Sequence, residues 1–249
     1  MPIIIKSDEE IALIREAGRA VGQVLQILAR EAKPGVKGKQ LDKIVRKEFA
    51  ERGVTPTFLG YHGYPASVCI SVNDEVVHGI PDQRELKAGD IVSIDLGATH
   101  KGFVGDAALT VGVGPISAEA QRLIRTTEKA LNKGIAAARA GVPLGAVSHA
   151  IQMAVEGEGF AVVREYVGHG VGRAMHEDPQ IPNFGLAERG PTLKKGMVLA
   201  LEPMVNAGGW RTKRHSDGWT VSTLDGSLSA HFEHTIAITD GDAVILTLP

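Results

Sequence analysis

Leu86-Lys87-Ala88-Gly89-Asp90-Ile91-Val92-Ser93-Ile94-Asp95 and Leu193-Lys194-Lys195-Gly196-Met197-Val198-Leu199-Ala200-Leu201-Glu202 say nearly the same thing twice. Each is a Leu-Lys-x-Gly turn, then an apolar strand, then a carboxylate at the strand's end. An acid closing an apolar strand is costly unless something pairs with it. Two such acids at matching places in a repeated unit predict facing halves around a shared cation.

The repetition runs outward from these strands. Glu10 to Arg30 carries Ile11, Ile14, Ala17, Val21, Val24, Leu25 and Leu28, helical spacing with one apolar face. Ser7 followed by Glu10 predicts a capping box. Ala118 to Arg139 repeats the theme, with Leu123-Ile124-Arg125 matching Leu13-Ile14-Arg15. Each helix runs into a Gly-Val step, Gly35-Val36 and Gly141-Val142. Second helices are predicted over Leu41 to Arg52 and Leu144 to Glu156, closed by Gly53 and Gly159. The offset between the halves stays between 106 and 110 residues. Two copies make a duplicated α+β unit rather than a solenoid. No linker or low-complexity stretch divides them, so the expectation is one domain over 1–249, with lobes of about 1–115 and 116–249.

The totals narrow the field. A chain of 249 residues can bury a sizeable core. A net charge of −2 points to neither DNA nor a membrane as partner. The single cysteine, Cys69, excludes an internal disulfide and fits a reducing cytosol. Met1 to Ile5 lacks the pattern of a secretory signal, and no apolar run reaches 18 residues, so no transmembrane helix is expected.

Asp95 and Asp106 bracket a predicted hairpin. A turn at Lys101-Gly102 sets His100 opposite Phe103 and Gly97 opposite Asp106. Asp95, two residues before Gly97, then shares the face of Asp106 as its diagonal neighbour. Gly97 and Gly105 are read as leaving space beside the two acids. Carboxylates this close repel unless a cation or a shared proton lies between them. The second half supplies Glu202 before Pro203, Glu233 on one strand face with His231 and Thr235, and His169 within Gly168-His169-Gly170-Val171-Gly172. Oxygen-rich donors with one imidazole suit two divalent first-row metals better than structural zinc.

Each residue has a blander role when taken singly: a strand-end cap, a turn histidine, a core polar group. His231 and His234 are assigned to strand surface and core, and His62, His100, His149 and His215 to solvent or local bonding. Cys69 has no histidine that defines a dyad, and Gly168 to Gly172 lacks the Lys-Ser/Thr of a phosphate loop.

The segments Gly60–Pro65, Asn73–Pro81, Ser93–Gly97 with Gly105-Asp106, Gly168–Gly172 with His176–Pro179, Leu201–Pro203 and Phe232–Thr235 occur together, in order, along the chain. In this the chain resembles the type I methionine aminopeptidases, which have the pita-bread metallopeptidase fold. The resemblance implies two antiparallel-sheeted lobes with helices on the outer face, related by a pseudo-two-fold axis. It implies two divalent cations, Co, Mn, Fe or Zn, held by Asp95, Asp106, His169, Glu202 and Glu233. Asp106 and Glu233 would bridge them, and Asp95 would bind one in bidentate fashion. A hydroxide between the metals would attack the first peptide bond, with Glu202 accepting the proton. His78 and His176 would contact substrate, His176 at the carbonyl. Tyr61, Tyr64, Cys69, Trp219 and Phe58 would form the methionine pocket. Met175 stands where many relatives have Phe, and Phe58 where a smaller residue is common. The interval between Glu202 and Glu233 holds 30 residues, too few for the helical insert of type II relatives.

The resemblance also implies substrates that are nascent polypeptide N-termini with a small second residue. A monomeric cytoplasmic enzyme with brief ribosome contact follows. The basic run Lys33 to Lys47 is read as a solvated helix face, with ribosomal RNA its hypothetical partner. Rival expectations are the related X-Pro peptidases, which carry a large N-terminal domain, and an inactive protein-binding member, which would have lost ligands.

Overall fold

Ser7 opens the first helix as its spacing from Glu10 predicts. The Glu10 N–H donates to the Ser7 hydroxyl, and the Ser7 N–H donates to the Glu10 carboxylate. In the computed structural model, which describes residues 2–249 and leaves Met1 outside them, helix α1 spans Asp8–Glu31. Helix α2 (Gly38–Glu51) starts a turn earlier than predicted, because the Gln40 side chain caps the Lys37 N–H at 2.7 Å. Helices α3 (Ala118–Ala137) and α4 (Leu144–Glu156) repeat the pair.

Strands follow each helix pair. The first set is β1 (Thr55–Pro56), a single 3-10 turn (Tyr61–Gly63), β2 (Cys69–Val72), β3 (Glu75–Val77), β4 (Ile91–His100) and β5 (Phe103–Gly112). After α4 come β6 (Ala161–Val162), β7 (Gly168–Gly170), β8 (Glu177–Ile181), β9 (Val198–Leu201) and β10 (Met204–Asn206). The last are β11 (Thr212–Arg214), β12 (Val221–Thr223), β13 (Ser229–His231), β14 (Glu233–Ala237) and β15 (Val244–Ile245). An antiparallel sheet runs β1-β4-β5-β14-β9-β7-β8, with β2 beside β4 and β15 beside β14. The halves join within it, where Glu233 and His234 of β14 pair with Ala108 and Ala107 of β5.

The duplication is visible bond by bond. Gly35 and Val36 exchange backbone hydrogen bonds of 2.8 Å with Leu86, and Gly141 and Val142 do the same with Leu193 at 2.9 and 2.8 Å. Both helix pairs close alike: the Val54 N–H returns to Phe49 O, and the Phe160 N–H to Val155 O.

Strand alternation separates the two faces of the sheet. Val92, Ile94, Leu96 and Ala98 pack against α1 and α2 in one core, while Leu199, Leu201 and Ile236 pack with α3 and α4 in another. Helices therefore cover the outer face, and Asp95 and Gly97 are turned inward. Gly105 is a correction. It serves the helix side, where a Cβ would lie 2.5 Å from the Gly18 nitrogen of α1. Of the two glycines, Gly97 is the one that makes room near the acids: a Cβ there would come within 2.9 Å of Phe58 Cε1 and 3.4 Å of Asp106 Oδ1.

Candidate metal centre

The β4–β5 hairpin holds the predicted register, with His100 opposite Phe103, Gly97 opposite Asp106, and Asp95 opposite Ala108. Glu233 on β14 pairs with the same Ala108 from the other side. Leu201 pairs with His234 and Met204 with His231, so one unbroken register crosses Pro203 and Phe232 and sets Glu202 opposite Glu233. His169 on β7 lies beside Ala200 of β9. Four strands and the junction just past β9 thus deliver the five side chains to one inward-facing site. Ligand-type atoms of Asp106, His169 and Glu233 lie within 4.8 Å of one another. Glu202 Oε1 is 3.4 Å from His169 Nε2, and Asp95 borders the adjoining cavity.

The His169 ring has a defined tautomer. Nδ1 is 2.9 Å from the Gly170 carbonyl, which can only accept, so Nδ1 carries the hydrogen and Nε2 is bare. Burial, and then His176, holds the imidazole's pKa down to about 3. Nε2 is therefore an acceptor aimed at the Glu202 carboxyl group 3.4 Å away. Burial also pushes all four carboxylates above their usual range. The Asp106 charge adds to the effect on Asp95, the Asp95 and Asp106 charges to that on Glu202, and all three neighbours to that on Glu233. Asp95 Oδ1, Asp106 Oδ1 and Glu233 Oε1 are buried without a hydrogen-bond partner. Acids crowded this closely beside a bare imidazole nitrogen fit divalent cations, which would take the place of the protons the crowding favours.

Beside the acids lies a cavity of about 370 Å³. Phe58, Tyr61, Tyr64, Cys69, His78, His176 and Trp219, the residues expected to meet substrate, all line it. The Tyr64 hydroxyl donates to Gly79 O at 2.9 Å and Val68 O at 3.1 Å, which leaves its ring to the cavity. Tyr64 also packs edge-on against Trp219 and Phe58. The Cys69 thiol is pushed up by burial and then by Asp95, which fits a wall and not a nucleophile. His176 Nδ1 shares a 2.8 Å hydrogen bond with the Tyr61 hydroxyl. Its pKa is lowered by burial and then by His62. His78 follows β3 in the left-handed region (φ 61), a strained conformation for a histidine that turns the chain at the cavity wall. Its pKa falls to about 4, chiefly through burial.

Three site-related residues fall outside the predicted roles. His62 is exposed, as predicted, yet it also lines the cavity. His231 is 1% exposed with both ring nitrogens unpartnered, two positions before Glu233, and its strand-face parity was the signal for it. Asn183, buried, donates to the backbone carbonyl of Glu202 at 3.0 Å, a long-range contact with no local signal. His215 bonds locally, to the Ser222 hydroxyl, whereas His149 reaches Gly185 O, 36 positions away.

The profile of metallopeptidase family M24 matches residues 12–240. The chain is 53% identical over 246 residues to a methionine aminopeptidase of Clostridium perfringens, covering 99% of each protein. It is also 53% identical over 245 residues to methionine aminopeptidase 1 of Bacillus subtilis, covering 98% of this chain and 99% of that one. A crystal structure of the Thermotoga maritima methionine aminopeptidase superposes with a TM-score of 0.98 at 48% identity, covering both chains completely.

Proposed function

Because the chain belongs to metallopeptidase family M24, among the bacterial-type methionine aminopeptidases, we propose that it removes the N-terminal methionine from peptides and nascent proteins whose second residue is small. One observation carries the reading: four inward acids and the bare Nε2 of His169 converge beside a cavity of about 370 Å³ walled largely by aromatic side chains. Asp95, Asp106, His169, Glu202 and Glu233 would hold two divalent cations. When bound, the pair supplies Lewis-acid polarisation of the scissile carbonyl and activation of the attacking water.

The chain's own groups do the rest. Glu202 Oε1 accepts the water's proton. His176 donates to the peptide carbonyl as charge develops there, with the Tyr61 hydroxyl fixing its ring. Neutral His78 hydrogen-bonds substrate near the first amide. Tyr64, Phe58, Cys69 and Trp219 enclose an unbranched thioether side chain, with sulfur–aromatic contacts favouring methionine. Crowding between His78 and His176 limits the second residue. The two lobes work as a single catalytic domain, monomeric and cytoplasmic, and meet substrates as they leave the ribosome.

The test is hydrolysis of Met-Ala-Ser by protein reconstituted with Mn²⁺ or Co²⁺, against Met-Lys, Met-Leu and Ala-Pro peptides. Cleavage is expected for Met-Ala-Ser alone. Equal turnover of Met-Lys removes the specificity claim, and preferred cleavage of Ala-Pro returns the X-Pro reading.

A further inference from the structure

Lys6 and Glu177, 171 positions apart, form a 2.6 Å ion pair whose side chains are only 3% and 6% exposed. A buried pair adds little net stability over apolar groups of the same shape, but neither charge can leave without stranding the other. Its geometry is therefore strict. The Lys6 N–H donates to Gly196 O at 2.8 Å, and its ammonium also donates to Ile4 O at 3.2 Å. Glu177 Oε1 accepts from the Ala174 N–H at 3.2 Å. Gly172 makes the space, since a Cβ there would lie 2.6 Å from Glu177 Oε1 and 2.7 Å from Lys6 Cε.

Between Gly172 and Glu177 stand Met175 and His176, both lining the substrate cavity. Other anchors of this segment also come from the first half of the chain. The Val104 N–H donates to Gly172 O at 2.8 Å, Arg173 pairs with Glu10 at 3.3 Å and lies over the Phe103 ring, and the Tyr61 hydroxyl meets His176. The Arg173–Glu10 pair is solvent-exposed and weakly constraining. Lys6–Glu177 is dry at both ends.

We propose that the Lys6–Glu177 ion pair is a positioning device that sets His176 and Met175 over the scissile bond through the Gly172–Glu177 segment. The inference rests on the reading of His176 as donor to the peptide carbonyl. Neither Lys6 nor Glu177 touches substrate. Small displacements of a donor cost turnover more than ground-state binding.

The experiment measures kcat, KM and melting temperature of the metal-loaded enzyme on Met-Ala-Ser. The variants are Lys6→Arg, Lys6→Met, the double Lys6→Met/Glu177→Gln, Arg173→Gln and His176→Ala. Lys6→Met is expected to lower kcat roughly tenfold with KM within about twofold. Lys6→Arg restores most of it, and Arg173→Gln stays at the wild-type value. The double variant recovers the melting temperature, because no lone carboxylate is left buried, but not kcat. A phosphonate analogue of Met-Ala loses affinity in proportion to kcat, while free methionine binds as before. If kcat returns together with the melting temperature in the double variant, the pair is merely structural and the proposal is wrong. Should Lys6→Met not fold, the double variant decides alone. Wild-type kcat in Lys6→Met beside an inactive His176→Ala overturns the proposal only. Full turnover by His176→Ala overturns the reading of His176, and the proposal with it.

Discussion

Asp106 lies between two opposed demands. Its backbone N–H donates to the Thr235 hydroxyl and its carbonyl accepts from the same hydroxyl, which fixes the residue in place. Its carboxylate meanwhile faces Asp95, Glu202 and Glu233. Without cations that crowding destabilises the fold. An acid whose folded pKa is raised costs stability above its unfolded value, so stability falls as pH climbs from about 4 to about 7. Metal-stripped Asp106→Asn is therefore expected to melt higher than metal-stripped wild type at pH 8, by on the order of 1–3 kcal/mol, with the gap closing near pH 4. Thermal melts in chelator across that range check this, and a gap independent of pH refutes it. The same variant is expected to lose divalent-cation affinity by more than about 100-fold in calorimetric titration, since the direct ligand proposed for Asp106 should cost at least as much as an outer-shell partner.

Thr235 links the two lobes as well as Asp106. The β5–β14 ladder ends after Glu233–Ala108 and His234–Ala107, and the Thr235 side chain takes over from the backbone at the next position. Thr235→Val strands the buried Asp106 N–H. A loss of about 1–3 kcal/mol and a 10–100-fold drop in metal affinity are expected, both relieved in Thr235→Ser, as read by denaturant melts and titration. Gly105→Ala should lower the melting temperature by overpacking α1 at Gly18, at about 1–3 kcal/mol, and leave KM for Met-Ala-Ser unchanged. The four helices, the Ser7–Glu10 cap of α1 and the β4–β5 register were legible in the sequence because each is fixed by residues a few positions apart, whereas the Gln40 cap that starts α2 early was missed. Parity along one strand likewise put Thr235, Glu233 and His231 on one face. The opposition of Glu202 to Glu233, the left-handed turn at His78 and the reach of Asn183 to Glu202 were not legible, because only tertiary packing decides them. Gly105 was misread for a related reason: its neighbour Asp106 faces the acids, and adjacent residues of a strand face opposite ways.

The sheet crosses from one repeat to the other without a gap, with helices of both repeats on its outer side. Unfolding is accordingly expected as one cooperative calorimetric transition, and two resolved transitions would count against a single catalytic domain. Cations at about 100 times their dissociation constant should add roughly 2.7 kcal/mol, raising the whole transition by about 5–10 °C. Asp95 and Asp106 come from the first repeat, and His169, Glu202 and Glu233 from the second. The five donors meet only along the seam where β5 touches β14. Neither repeat alone could therefore bind the metal pair: the first brings carboxylates only, the second a mixed set with imidazole, and binding is a property of their union.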